Sequence, residues 1–231
     1  MATSGTATWN PSILELVEEA YERNQIEMRT GYEMVTARRS LNYLFSEWAN
    51  RGINMWTLEP DTLTLVANQT TPYDLPADTV DIMDASIRTN AGNSTTQSDI
   101  TISRISFDTY QTLPNKLSTG RPTQYMIQRT ETPKLYLWLW ADGTQDYTLY
   151  YWRMRRIQDA GSSAALTADV PFRFLAALTS GLAYHIGAKR RRDPQLLAEL
   201  KARYDEDWER ATSEDFERAS WMIVPYQGFS R

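Results

Sequence analysis

Residues 169–197 read DVPFRFLAALTSGLAYHIGAKRRRDPQLL and decide the fold class, because they predict a helix with apolar or small residues on every side. Phe172, Leu175, Thr179, Leu182 and Ile186 follow the helical period, and alanine, serine and glycine fill the positions between them. A helix without a polar face must be covered by other elements, and small side chains let those elements approach closely. We therefore expect a buried helix within a helical bundle.

Three further helices are predicted, two before this one and one after it. The first two are amphipathic and cannot bury their apolar stripes alone, so they should pack as an antiparallel pair against a later part of the chain. A capping residue or a helix-compatible proline lies near the start of each of the four helices: Asn10 with Pro11, Thr30 with Glu33, Asp169 with Pro171, and Asp193 with Pro194.

The middle of the chain changes from helical spacing to the alternation that is typical of strands. Candidate strands cover residues 62–67, 80–89, 100–106, 124–129, 135–140 and 147–157. Asp142 and Gly143 form a turn signal between the last two, which predicts a hairpin. The expected fold is α+β. Residues 1–52 and 161–219 form the helical bundle, residues 53–160 form a mostly antiparallel β-rich domain, and residues 220–231 form a C-terminal tail.

Composition narrows the function classes. The chain has 231 residues and no cysteine, so it can bury a large core but has no disulfide or thiolate metal site. It begins without a basic and apolar leader and has no apolar run long enough to span a bilayer, so we expect assembly in a host cytoplasm and no membrane partner. A net charge of −5 opposes wholesale binding to nucleic acid but permits a local basic patch.

Residues for catalysis are sparse. The single histidine, His185, occupies a packing position, and one histidine cannot supply the common metal sites. Phosphate-binding glycine loops are missing from the sequence. The neighbouring acids Glu206 and Asp207, like Glu214 and Asp215, are expected on a solvated helix face, because adjacent helical residues do not face each other across a cleft. We predict a protein that is not an enzyme, with no cofactor and no metal.

The strongest local charge feature is the run Lys189, Arg190, Arg191 and Arg192. Cations at a helix C-terminus interact favourably with the helix dipole, which accounts for one or two of the four. The remaining charges favour an anionic partner, either DNA phosphate or an acidic protein surface. Both explanations remain open for this basic patch.

Bulky aromatic residues concentrate in the segment LYLWLW, residues 135–140, and in the strand predicted after it. Side chains on both faces of a strand indicate that both faces are covered, so a core position is favoured. A subunit interface is the second explanation. The third is a platform for sugars, in which Trp138, Trp140 and Trp152 would serve a carbohydrate-binding tail or fibre module.

Four segments carry a resemblance to a known family: TARRSLNYLFSEWANRG at residues 36–52, YDLPAD at 73–78, GRPTQY at 120–125, and the opening segment at 169–197. In this order, and followed by LKARYDEDWERA at 200–211, they resemble the head-to-tail adaptors of short-tailed bacteriophages, the tail tubular protein A type. The resemblance covers most of the chain.

The resemblance implies a helical bundle on the portal side with a β-rich insertion. It implies a structural protein of the virion neck or tail that forms a ring of twelve copies beneath the portal protein. DNA would pass through the ring without sequence-specific contacts, and the next tail protein, the nozzle, would dock onto it. No catalytic residue is carried over.

The C-terminal tail is the expected docking segment for the portal or a neighbouring copy, because an apolar, non-helical terminus can fill a groove or extend a sheet edge. The alternative is a tail folded back on its own bundle. The docking residues are Trp221, Met222, Ile223, Val224, Tyr226 and Phe229.

Overall fold

The structure, a computed structural model, describes residues 3–29, 31–52, 55–213 and 215. The contacts divide the chain into two units, Met1–Leu44 with Ala160–Arg231 and Phe45–Asp159. The unit boundary after residue 159 lies one residue before the predicted domain boundary, and the unit boundary after residue 44 lies eight residues before the predicted one. The α+β fold class is confirmed, since helices flank a strand-rich middle section along the chain.

Helix α4 (Leu175–Lys189) is the buried element of the helical unit, and a short 3-10 turn, Phe172–Phe174, precedes it. Helices α1 (Ile13–Arg23) and α5 (Pro194–Ser213) both pack against it. At Gly181 of α4, an added Cβ would lie 2.9 Å from a ring carbon of Tyr204 and 3.0 Å from a methyl group of Leu44. Glycine is therefore what allows the neighbouring helices to approach this closely.

The expected capping chemistry is found at α1, with a shift in position, and at α5; at α4 and the 3-10 turn before it, no side chain caps the start, so the cap expected from Asp169 is wrong. Ser12, and not Asn10, is the N-cap of α1: its side chain accepts from the Glu15 amide, and the Glu15 carboxylate accepts from the Ser12 amide at 2.6 Å. Asp193 caps α5 by accepting from the amide of Gln195 at 3.0 Å. Helix α2 (Gly31–Ala49) follows Thr30, whose predicted capping role lies outside the described residues.

The β-rich unit contains two four-stranded sheets and a short helix, α3 (Phe107–Thr112). The first sheet has the order β1-β8-β3-β4, and the second has the order β2-β7-β6-β5. All pairs are antiparallel except β5 with β6. The strands are β1 (Leu58–Thr64), β2 (Tyr73–Asp74), β3 (Thr79–Thr89), β4 (Ser98–Thr101), β5 (Ser103–Arg104), β6 (Gln124–Gln128), β7 (Lys134–Trp138) and β8 (Tyr147–Arg155).

Two expectations about the strands are wrong. The predicted hairpin does not form, because β7 belongs to the second sheet and β8 to the first. The single strand expected at residues 100–106 is divided between β4 and β5, which also lie in different sheets. Both errors have one cause: residues from the two sheets fill one shared hydrophobic core, so the chain repeatedly passes from one sheet to the other.

Charged side chains also join the two sheets. The carboxylate of Asp81 in β3 accepts from Arg104 of β5 at 3.0 Å and pairs with Arg129, which follows β6. The Asp81 side chain is only 11% exposed, so these charges are partly shielded from water. Within the first sheet, buried Arg153 pairs with Glu59 and with Asp78.

Candidate docking surfaces

The basic patch lies at the C-terminal end of α4. Lys189 is the last helical residue, Arg190 is the C-cap, and Arg191 has a φ of +50° that ends the helix. The amide of Arg192 then donates to the carbonyl of Gly187 at 3.1 Å. The turn therefore gathers four cations where the partial negative charge of the helix end attracts them.

Arg190 has a structural role. Its guanidinium donates to Glu33 of α2 at 2.8 Å and lies over the ring of Tyr21 at 5.9 Å. Hydrogen bonds to Tyr21 and Glu33 raise the pKa of Arg190 above its usual range. Folding thus favours the charge on Arg190, and this agrees with a structural role for this residue.

Lys189 behaves in the opposite way. Its ammonium donates to the Thr36 carbonyl at 3.2 Å and to the Ser40 hydroxyl at 3.4 Å. Loss of solvent, together with the nearby cations Arg39 and Arg190, lowers the pKa of Lys189. Folding therefore opposes the charge on this lysine, and capping alone does not account for the whole run.

The remaining cations extend the patch. Arg191 is exposed, and Arg192 is half-buried with an Nε atom that has no hydrogen-bond partner among the described residues. Arg39, on the exposed side of α2, adds a further cation that lies far from the run in sequence. The sequence signal at residues 189–192 therefore identifies only part of the basic patch.

An exposed stripe of side chains runs along α2. Tyr32, Val35, Arg39 and Tyr43 follow the helical period on one side of the helix, and all four are exposed. Tyr43 is 67% exposed and Tyr32 is 75% exposed. The sequence analysis did not identify these side chains as a surface.

An apolar groove of about 550 Å³ lies between α1 and the first turns of α4. Trp9 and Phe172 stand at it with their ring centroids 6.2 Å apart in an edge-to-face arrangement. The groove is lined further by Pro11, Leu16, Leu175, Ala176 and Thr179, with Glu15, Glu19, Arg23 and Arg173 as its charged members.

The single histidine and three of the four neighbouring acids from the sequence analysis can be placed in the structure. His185 lies half-buried in α4 with its ring 5.6 Å from that of Tyr184. Asp207 is buried and accepts from the hydroxyl of Ser180, so its expected place on a solvated helix face is wrong. Glu206 does lie on the exposed face, and Asp215 pairs with Arg173.

The aromatic platform expected of a sugar-binding module is not assembled. Trp140 is 1% exposed and donates to the Lys116 carbonyl at 2.7 Å, so its ring cannot stack on a ligand. Trp138 is half-buried in the second sheet, and Trp152 is exposed in the first. The three rings therefore do not share one open surface.

The predicted docking residues of the C-terminal tail, residues 221–229, lie outside the described residues. Within the part of the chain that the structure describes, acidic and histidine side chains do not form a group of three or more suited to a metal ion. None of the described helices is long and apolar enough to cross a membrane.

Comparison with known proteins identifies the family. The model of the SU10 adaptor protein family matches residues 32–225, more than four-fifths of the chain. The chain belongs to the SU10 adaptor protein family. The adaptor is thus of the phage head–tail type, with a structural role in the virion neck or tail, as the resemblance implied. A search of curated proteins found no match.

The match extends over both units of the adaptor. It begins in α2, includes both sheets, α4 and α5, and ends within the C-terminal tail. The basic patch, the stripe on α2 and four of the six predicted docking residues of the tail lie within the matched residues. Trp9 and helix α1 precede the matched region.

Proposed function

We propose that the adaptor forms a ring of twelve copies that docks beneath the portal of a short-tailed phage. The ring lines part of the DNA channel and supplies the platform for the nozzle protein. The family match over residues 32–225 carries this proposal, since adaptors of the head–tail type act as structural connectors. Assembly takes place in the host cytoplasm, with the helical unit on the portal side.

The charge distribution supports the proposal. A net charge of −5 suits a ring through which DNA must slide, because a strongly cationic lumen would retain phosphates. The basic patch is local and includes charges that folding does not require. We assign it to an acidic surface of the portal protein, with DNA phosphate as the alternative.

The exposed stripe on α2 supports ring formation. Aromatic side chains and arginine are enriched at protein interfaces, and this stripe combines both types on one side of a helix. We assign the stripe to the contact with the next copy in the ring. Repetition of modest contacts around a ring then strengthens attachment through multivalency.

The C-terminal tail is assigned to attachment. Its apolar residues, from Trp221 to Phe229, can fill a groove on the portal or on a neighbouring copy. Truncation before Trp221 should weaken attachment and leave the fold of both units intact. Unchanged attachment of the truncated chain would exclude the tail as the anchor.

Mass photometry of the purified chain, with and without portal particles, tests the proposal. We expect stoichiometric loading of a ring onto the portal. Loading should weaken in Arg191→Gln, while the matched variant Lys201→Gln, which removes an exposed cation elsewhere on the helical unit, should load normally. Failure of the unmodified chain to load at any salt concentration would contradict the proposed function.

A further inference from the structure

The apolar groove between α1 and α4 leaves two large aromatic side chains exposed to water. Trp9 is 67% exposed and Phe172 is 72% exposed, although the two rings contact each other. Large apolar side chains left in water forgo about 25 cal/mol for each Å² of surface that a partner could cover. The floor between these rings includes Leu175 and Ala176, which are also apolar.

The described chain ends at this groove. Asp215, its last described residue, forms an ion pair with Arg173, and Arg173 lines the groove. The end of α5 is held at the same place, because the ring of Trp208 lies 5.7 Å from the ring of Phe174. The residues that follow Asp215 therefore start from the edge of the groove.

Those following residues match the groove in chemistry and in reach. Residues 216–231 contain six large apolar side chains within the segment 221–229, and the segment is interrupted by Pro225 and Gly228. Trp221 is six residues beyond Asp215, and an extended chain of that length spans about 20 Å. Every apolar residue of the tail can thus reach the groove from its anchored start.

We propose that the groove is the seat of the C-terminal tail of the same chain. The short connection from Asp215 gives the tail an effective concentration in the millimolar range, which a tail from a separate molecule does not have in dilute solution. The tail covers Trp9 and Phe172 with its own apolar residues. Before assembly the docking segment is therefore held on its own subunit, and attachment to another protein requires its release.

The absence of cysteine from the natural chain makes a crosslinking test direct. A cysteine pair, Ala176→Cys with Gln227→Cys, places one thiol in the groove and one in the tail without removing a large apolar side chain. The matched pair uses Ala188→Cys, an exposed position 12 residues further along α4 and about 18 Å away. Both pairs are treated with a short bismaleimide in dilute solution without portal particles.

We expect a one-chain product with one linker in the groove pair, forming at least about tenfold faster than in the Ala188 pair because the seated tail is locally concentrated. Adding Trp9→Ala and Phe172→Ala should slow this reaction, and circular dichroism should show an unchanged fold. A second pair, Ala176→Cys with Ser220→Cys, repeats the test nearer to the tether.

Three outcomes would overturn the proposal. The first is equal rates for the groove pair and the Ala188 pair. The second is a two-chain product that forms, when chains carrying only Ala176→Cys and only Gln227→Cys are mixed, as fast as the groove pair forms its one-chain product, which would assign the groove to a second copy. The third is no groove product with either tail position. Portal loading of the uncrosslinked variants is measured separately, so this result is independent of the proposed ring.

Discussion

Replacing Asp207 with alanine should lower the stability of the helical unit more than its place in a charged segment of α5 suggests. The Asp207 side chain is 5% exposed. It accepts from the hydroxyl of Ser180 in α4 and from the Nε of Arg203 at 3.3 Å. Ser180 in turn accepts from Arg23 of α1 at 2.9 Å. This carboxylate therefore stands in a polar chain that joins three helices.

The expected cost is about 2 kcal/mol. A hydrogen bond to a charged group contributes about 1.5–3 kcal/mol, and the Ser180 bond is of this kind. Arg203 is 62% exposed and returns to water in the variant, so its loss adds no more than about 0.5 kcal/mol. Alanine recovers a similar amount through its higher helix propensity, at most about 0.7 kcal/mol.

Urea unfolding followed by far-UV circular dichroism measures this cost, and Glu206→Ala is the matched control. Glu206 is the preceding residue on the same helix, carries the same charge, and pairs with Arg210 on the exposed face. Its loss should cost under about 0.5 kcal/mol. In thermal unfolding, Asp207→Ala should lower Tm by about 4–8 °C. Equal losses in both variants would refute the buried position of Asp207.

Three further predictions concern the basic patch, the stripe on α2 and the charges that join the two sheets. Because the folded-state pKa of Lys189 is lowered, its protonated form opposes folding at pH values below that pKa, and Lys189→Gln should raise the free energy of unfolding at neutral pH. Arg190 has a raised pKa and an ion pair, so Arg190→Gln should lower the free energy of unfolding in the same urea titration. Tyr43→Glu should prevent ring formation in mass photometry, whereas Leu117→Glu, at an equally exposed position in the β-rich unit, should not. Intact rings with Tyr43→Glu would exclude the stripe on α2 as the contact between copies. Asp81→Ala should destabilise the β-rich unit by about 1–3 kcal/mol in near-UV-monitored unfolding, and a neutral result would show that the charges joining the sheets contribute nothing.

Local signals predicted the elements well, and the pairing of strands poorly. The turn at Asp142 and Gly143 does form: Gly143 has a φ of +77°, and the Asp142 carboxylate accepts from the Thr144 amide at 3.1 Å. The strands on either side nevertheless pair with different sheets. Turn chemistry is decided within four residues, whereas the choice of partner depends on which arrangement buries the most apolar surface. A short stretch of sequence displays the first kind of information but not the second.

The candidate surfaces show the same limit. The run at residues 189–192 could be found because its charges are consecutive, but Arg39 joins the patch only through the packing of α2. Asp207 was misassigned because successive helical residues point in directions about 100° apart, so Glu206 can face water while its neighbour faces the core. The groove at Trp9 and Phe172 combines residues far apart in sequence, and no local pattern indicates it.

Within the four residues of the basic patch, the charge on Arg190 contributes to stability, whereas the charge on Lys189 opposes it. Arg190 is paired and favoured by folding, so its presence needs no partner. The charge on Lys189 is disfavoured by folding, because the lysine loses solvent and lies near the cations Arg39 and Arg190. A neutral side chain at Lys189 would relieve that repulsion inside the subunit. An anionic partner would reduce this repulsion as well. The repulsion that lowers the stability of the free subunit would then increase the affinity for that partner. That coupling is why the patch, rather than the exposed aromatic residues, should give attachment its dependence on salt.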